Sequence, residues 1–395
     1  MQVTMIGLGG GTEQTMTQEG RQALLQADFV AGAARLLERL PAGCTQRRGA
    51  ATKPDALLRL IVQSGAERPC VVYSGDTGFY SGARSLAPLL QERGADVRIL
   101  PGISSVQLLS ARLCRPWQDW VLVSAHGVAC NAVAAVSQGR PALFLTGGTL
   151  GPAALCAQLC AAGLGGLGVT VAENLSYPEE RIRTGAARDF SGEDLAPLSV
   201  LLAEAAPCAP VHPGMDDRAF VRGDVPMTKQ EVRAAALAKL EVRSGETVWD
   251  VGAGTGSVSV ELARCAWQGR VYAVERASDA CALIRENRER FGAWNLSVVE
   301  GAAPEALETL PAPDAVFIGG SGGQMQAVVE AVLAKNPCAR MCISAIAVES
   351  LGAAVQALTA HGREASVAQI AVSRSRPAGG LHMMTAQNPV WLVTG

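Results

Sequence analysis

The chain has few of the residues that read nucleic acid: 4% of its 395 residues are aromatic, and its formal net charge is -2. A single-strand groove needs basic charge interleaved with stacking rings, so no nucleic-acid partner is expected. Histidine occurs four times, and the eleven cysteines are scattered. The closest cysteine pairs, Cys156/Cys160 and Cys338/Cys342, lie in apolar runs without a neighbouring histidine. They read as reduced core thiols of a cytoplasmic protein, and no metal is expected. No apolar run reaches the roughly 18–20 residues of a membrane span. Neither a basic leader nor a signal-type stretch precedes the first strand, "MQVTMIGLGGG", so no membrane partner is expected either. No short tandem repeat is visible.

What is present is an α/β pattern. The length passes the size at which one core stops growing, and hydrophobic residues make up 49%. Short β-branched runs, "CVVYSG", "DVRIL", "ALFLTG", "TVWDVG" and "RVYAVE", are bounded by glycines and separated by helical patterns. The alternation stops near Glu204 at "AAPCAPVHPGMDD", which has three prolines and no apolar periodicity. The expected division is therefore a domain over 1–205, a linker over 206–216 and a domain over 217–395. Thr228 with Glu231 offers a capping box for the helix that follows.

In the second half, "VWDVGAGTGSVSVELA" (248–263) is a strand that turns through three glycines into a helix. The glycines at 252, 254 and 256 give G-x-G-x-G and not the dinucleotide spacing, which argues against a pyrophosphate. Such a turn brings a ligand to the positive end of the helix beginning near Ser257, where a carboxylate is favoured. S-adenosylmethionine carries one. Glu275, ending the next strand, stands at the usual distance to accept from ribose hydroxyls, and Gly301, Ala302 and Ala303 are small enough to lie against adenine.

This stretch resembles the class I methyltransferases, with a Rossmann-like fold. "HPGMDDRAFVRGDVPMTKQEVRAAALAKL" (212–240) and "DAVFIGGSGG" (314–323) resemble more narrowly the domain that methylates and decarboxylates a corrin precursor. The resemblance implies that Thr228 contacts the cofactor, that Gly252, Ala253, Gly254, Thr255 and Gly256 wrap its methionine end, and that Glu275 holds the ribose. The adenine then falls near Ala302 and Ala303.

In the first half, "IGLGGGT" (6–12), "YSGDTGFYSG" (73–82), "LPGISSVQLLSA" (100–111) and "AENLSYPEERIRTG" (172–185) are spaced as in the tetrapyrrole methylases, a two-lobed α/β family. Carried over, Gly10, Ser74, Gly75, Asp76, Phe79, Ser104, Ser105, Thr146 and Leu175 line the cofactor. Asp76 reads equally as a ligand partner or as a turn acid stabilising its own loop. Other members have proline at the place of Gly10 and a catalytic aspartate at the place of Gly32. "SAHG" (124–127) resembles a substrate-side segment; His126 is there either a contact to the tetrapyrrole or a structural hydrogen-bonder.

Together the halves resemble the fused precorrin methyltransferases of cobalamin synthesis over nearly all of the chain. The resemblance implies two methyl transfers, at carbon-5 by the first domain and at carbon-15 by the second, with loss of carbon dioxide from the ring C acetate. It implies one S-adenosyl-L-methionine per domain and a homo-oligomer. Two alternatives stand beside it: a first domain that only binds tetrapyrrole as a scaffold, and a cobalt-containing substrate. A polyacidic macrocycle calls for rim cations. Arg222, Lys229 and Arg233 are candidates, with Arg374 and Arg376 in a glycine-containing flap over Gly379 and Gly380. Ser321, Glu349 and His382 are weak candidates for chemistry, as is His126.

Overall fold

The computed structural model describes residues 1–207 and 212–395. Contacts divide the chain into two compact units, one of Met1–Cys130, Arg140–Cys160 and Gly165–Glu204, the other of Asn131–Gly139, Ala161–Leu164 and Ala205–Gly395. Residues 208–211 of the expected linker lie outside the described residues. Its far end is packed rather than free: Gly214 and Met215 are buried and donate their amides to Glu261.

The first unit holds two sheets. In the first, β1 (Gln2–Gly7), β2 (Phe29–Gly32), β3 (Arg48–Ala50), β4 (Pro69–Tyr73) and β5 (Asp96–Leu100) are parallel in the order β3-β2-β4-β1-β5. The inner strands β1, β2 and β4 are near-continuous apolar runs, as sheets covered on both faces require. The second sheet is mixed: β6 (Val121–Ser124), β7 (Ala142–Leu145), β8 (Gly168–Glu173), β9 (Arg181–Ala186) and β10 (Ser199–Ala203) run in the order β6-β7-β10-β8-β9. The helix Ser105–Leu113 packs Val106 and Leu109 onto Leu143, Ala172, Val200 and Leu202 of this sheet.

In the second unit, β11 (Thr247–Val251), β12 (Arg270–Glu275), β13 (Leu296–Glu300), β14 (Ala315–Ile318), β15 (Arg340–Ala345) and β16 (Ser366–Ile370) join the last strand, β19 (Val390–Thr394). The order is β13-β12-β11-β14-β15-β19-β16, with β19 antiparallel to both neighbours. From β11 the chain winds outward to β13 and then returns to β14, so the order reverses between β11 and β14. That reversal opens a crevice at the carboxyl ends of the two strands. Along β11, Val248 points into one core and Trp249 into the other, which buries both faces.

The expected flap is a β-hairpin. β17 (Ser373–Ala378) and β18 (Leu381–Ala386) pair antiparallel across a Gly379-Gly380 turn in which both residues have positive φ. This is the geometry of a two-residue hairpin loop, and a Gly-Gly pair between strand-like runs is its sequence signal.

All ten described cysteines are free. Five are buried, but Cys114 and Cys338 are exposed, so the reading of core thiols is corrected for those two. Burial pushes the thiols of Cys70, Cys156 and Cys342 up to about 12. Among the described residues no helix is long and apolar enough to cross a membrane.

Candidate active sites

In the first unit the carboxyl ends of β1, β4 and β5 turn at glycines that nest against one another. Gly9 and Gly75 exchange backbone hydrogen bonds of 3.1 and 2.8 Å. A Cβ on Gly102 would lie 2.3 Å from the Gly75 oxygen and 2.6 Å from that of Gly7, so no side chain fits there. Gly10 is less rigidly confined: its Cβ would meet the side-chain Ser176 Oγ at 2.0 Å and Leu108 Cδ1 at 2.9 Å. A larger residue there requires Ser176 and Leu108 to shift.

Above this floor is a cavity of about 430 Å³. Gly10, Ser74, Gly75, Asp76 and Phe79 line it from the first sheet's loops, and Ser104, Ser105, Thr146, Leu175 and His126 from beyond them. Several polar groups are already engaged. Asp76 accepts from the amides of Gly78 (3.0 Å) and Gly102 (3.2 Å), so its carboxylate acts as a tie between two loops. Ser104 closes a capping box with Gln107 at the start of the helix Ser105–Leu113. The Thr146 hydroxyl donates to the Ser199 carbonyl at 2.7 Å. The sequence reading missed Arg35, Tyr80 and Tyr177 on the lining. Arg35 follows β2 by only three residues, so its position after a strand end was the available signal.

In the second unit, Gly252 and Gly320 meet at the crevice between β11 and β14. A Cβ on Gly252, whose φ is +71°, would stand 2.5 Å from the Gly320 oxygen and 2.7 Å from its nitrogen. The cavity here is about 1110 Å³, near the upper end for a small-ligand site. Gly252, Ala253, Gly254, Glu275, Ala302 and Ala303 line it, as do Thr228, Lys229 and Ser321. Thr255 and Gly256 do not. Thr255 is buried with its hydroxyl unpartnered, and a Cβ on Gly256 would meet Ile284 at 2.9 Å, so the loop turns into the core at that point. Glu275 accepts from the amides of Gly254 (2.9 Å), Arg276 (2.8 Å) and Ala277 (3.0 Å), which fixes it against the glycine turn. A carboxylate has about four acceptor positions, so one stays open to a ligand hydroxyl.

Beneath the loop, Asp250 is buried and accepts from Ser259 Oγ, while its other oxygen has no partner. Burial pushes this carboxyl up to about 7; the nearby Glu275 charge adds to the rise, and the Ser259 hydrogen bond opposes it.

Of the five cations proposed for substrate, Lys229 alone lines the cavity. Arg233 is corrected outright. It is fully buried, donating to Glu261 (2.6 Å), Asp217 (3.2 Å) and the Thr228 carbonyl (2.6 Å), with Phe220 4.8 Å from its guanidinium. Its helix, Gln230–Leu240, buries Val232, Ala236, Leu237 and Leu240, and position 233 falls in that stripe. Arg374 is paired with Glu231 at 2.6 Å and with Asp217 at 3.1 Å, so its charge is already matched. The same pairing takes Glu231 out of the expected capping box, and Lys229 occupies the N-cap without a side-chain bond. Arg222 and Arg376 are exposed and off the cavity wall, as are Glu349 and His382. Arg276 lines the cavity and was missed; it is the residue after the ribose acid.

A first strand running into a three-glycine turn, with an acid ending the second strand and small residues after the third, defines a nucleoside-binding methyltransferase of class I type. The remainder of the chain matches a second methyltransferase family. Residues 2–191 fit the tetrapyrrole (corrin/porphyrin) methylases, and residues 219–395 fit the precorrin methyltransferase domain. A Sinorhizobium precorrin-6Y C(5,15)-methyltransferase [decarboxylating] is 34% identical over 99% of this chain and 95% of its own length. The chain belongs to that family of S-adenosylmethionine-dependent, decarboxylating precorrin methyltransferases.

A probable cobalt-precorrin-6B C(15)-methyltransferase (decarboxylating) of Pyrobaculum calidifontis is 44% identical over 46% of the chain and 95% of its own length. The crystal structure of a Geobacter metallireducens precorrin-6y C5,15-methyltransferase is 38% identical over 46% of the chain and 96% of that chain, with a TM-score of 0.44. The glycine cradle at Gly252, the remaining acceptor position of Glu275 and the small Ala302 and Ala303 fit the methyl donor.

Proposed function

We propose that the two units carry out successive methyl transfers to one precorrin. In this reading the first adds the methyl at carbon-5, and the second adds the methyl at carbon-15 and removes the ring C acetate carboxyl as carbon dioxide. The observation that carries it is the pair of glycine-floored cavities, one per unit, each at the carboxyl ends of parallel strands. Each holds one S-adenosylmethionine, which supplies an electrophilic methyl; the chain contributes position. Holding such a methyl in line with an enamine-type carbon can supply several kcal/mol. No metal cofactor is invoked.

In the second unit Lys229 and Arg276 face the cavity and suit the substrate's carboxylates. Decarboxylation is favoured where the acetate meets no close cation, and the apolar part of the wall, Val225, Leu283 and Ile346, offers such a place. The substrate in this reading is the metal-free precorrin. The Pyrobaculum relative, a probable cobalt-precorrin-6B methyltransferase, keeps the cobalt form as a second reading.

Titration calorimetry of the whole chain is expected to give two S-adenosylmethionine molecules bound, and incubation with the metal-free precursor a product two methyls heavier and one carbon dioxide lighter. Saturation at one donor per chain would exclude the two-site assignment. Turnover of the cobalt-bound precursor alone would move the assignment to the second reading.

The reading includes a cytoplasmic homo-oligomer. Leu381, Met383 and Met384 of the hairpin are 73%, 54% and 65% exposed, and an isolated two-stranded hairpin is marginal in water, so a second copy is the proposed cover. Light scattering is expected to give a mass of at least two chains, lowered by Met383→Lys. A single-chain mass at every concentration would remove this part.

A further inference from the structure

We infer that His126 is the base of the first unit's methyl transfer, accepting at Nε2 the proton released from the methylated carbon. This rests on the assignment of carbon-5 methylation to the first unit.

Methylating a ring carbon that carries a hydrogen needs an acceptor for that hydrogen. The carbon forms a bond to the donated methyl, the sulfur keeps the electron pair of the broken S–C bond, and the C–H pair returns to the macrocycle as the proton leaves. Sulfonium and C–H become thioether, C–CH₃ and one proton, which His126 passes on to solvent.

The cavity offers few places for that proton. No carboxylate comes from the end of β2. Gly32 pairs with Val72 there, and a Cβ on it would lie 2.5 Å from Val72 Cγ2 and 2.9 Å from the Val72 oxygen, so an aspartate cannot replace it without moving β4. Asp76, the carboxylate on the lining, accepts from two backbone amides and ties the loops, and a carboxylate is by its chemical type a weaker base than an imidazole near neutrality. Tyr80 donates to the Leu122 carbonyl at 3.1 Å, and Thr146 to Ser199. The other polar side chains on the wall are hydroxyls and the Arg35 guanidinium, which do not take up protons near neutrality. That leaves the imidazole.

Its tautomer is set by the backbone. His126 Nδ1 stands 3.2 Å from the Thr146 carbonyl, and a carbonyl only accepts, so Nδ1 bears the hydrogen and Nε2 keeps its lone pair. The ring rests against Gly147: a Cβ there would come within 1.9 Å of Nδ1 and 2.5 Å of Cε1. Glycine at 147 therefore makes room for the ring, and the carbonyl beside it orients the base.

The test uses the whole chain with ¹³C-methyl S-adenosylmethionine and the precorrin, reading the label at carbon-5 by NMR. His126→Asn keeps a donor for Thr146 but has no base; it is expected to slow carbon-5 labelling by about 10²–10⁴-fold with donor affinity held within about twofold. In His126→Ala, added imidazole is expected to restore the rate at least about tenfold. ¹⁵N NMR of the wild-type chain, assigned against His126→Asn, is expected to show Nδ1 protonated and Nε2 bare. Wild-type labelling rates in His126→Asn, loss of donor affinity together with rate, absence of imidazole rescue, or the reversed tautomer would each overturn the inference. Absence of any carbon-5 label with the wild-type chain would instead overturn the assignment beneath it.

Discussion

Gly252→Ala is expected to leave one S-adenosylmethionine site per chain in place of two, and to slow carbon dioxide release at least about 100-fold, the scale of a misplacement near 1 Å. The reason is backbone against backbone. The added methyl would enter the space of the Gly320 oxygen, nitrogen and Cα, all within 2.9 Å, and a φ of +71° strains any residue other than glycine. No rotamer relieves this, because the obstruction is main chain. Either the turn after β11 or the turn after β14 must back away, and both line the cavity. Calorimetry counts the sites and trapped labelled carbon dioxide gives the rate. Two sites with undiminished release would show that the crevice between β11 and β14 is not where the donor is held.

Arg233→Met is expected to cost about 3–5 kcal/mol, because it strands Glu261 as an unpaired charge inside the second unit. Both side chains of that pair are fully buried, 2.6 Å apart. Glu261 also holds the amides of Gly214 and Met215, so the segment entering the unit loosens with it. For a unit of this size the loss corresponds to a fall of roughly 10 °C in the melting transition, read by scanning calorimetry. Adding Glu261→Gln removes the stranded charge but keeps an acceptor oxygen for only one of the two amides, which bond to different carboxylate oxygens, so it is expected to recover part of the loss and not all of it. A single variant that melts with the wild type would mean the buried network contributes nothing net.

Strands and glycine turns were readable in advance because each carries a local signal. Short β-branched runs with glycines at their bounds gave β4, β5, β7, β11 and β12, and the turn at 252–256 pointed to a crevice. The destinations of the charges were not readable. Arg233 and Arg374 look like any rim arginine until the folded chain brings Glu261, Asp217 and Glu231 to them from 16 to 157 residues away. The capping box failed for the same reason, since a distant arginine took the glutamate. Within reach of the sequence, though unused, was the apolar stripe that contains position 233; the Gly379-Gly380 pair pointed to a flap but not to the hairpin that forms it.

The distribution of thiols supplies a natural pair of attachment points for spectroscopic reporters. The buried cysteines present little thiolate at neutral pH, whereas exposed Cys114 ends a helix in the first unit and exposed Cys338 precedes β15 in the second. With Cys208 and the half-buried Cys130, Cys160 and Cys265 replaced by serine, a maleimide dye pair directed to these two positions marks each half once without an engineered cysteine. Fluorescence energy transfer between the dyes can then follow whether the halves change separation during turnover.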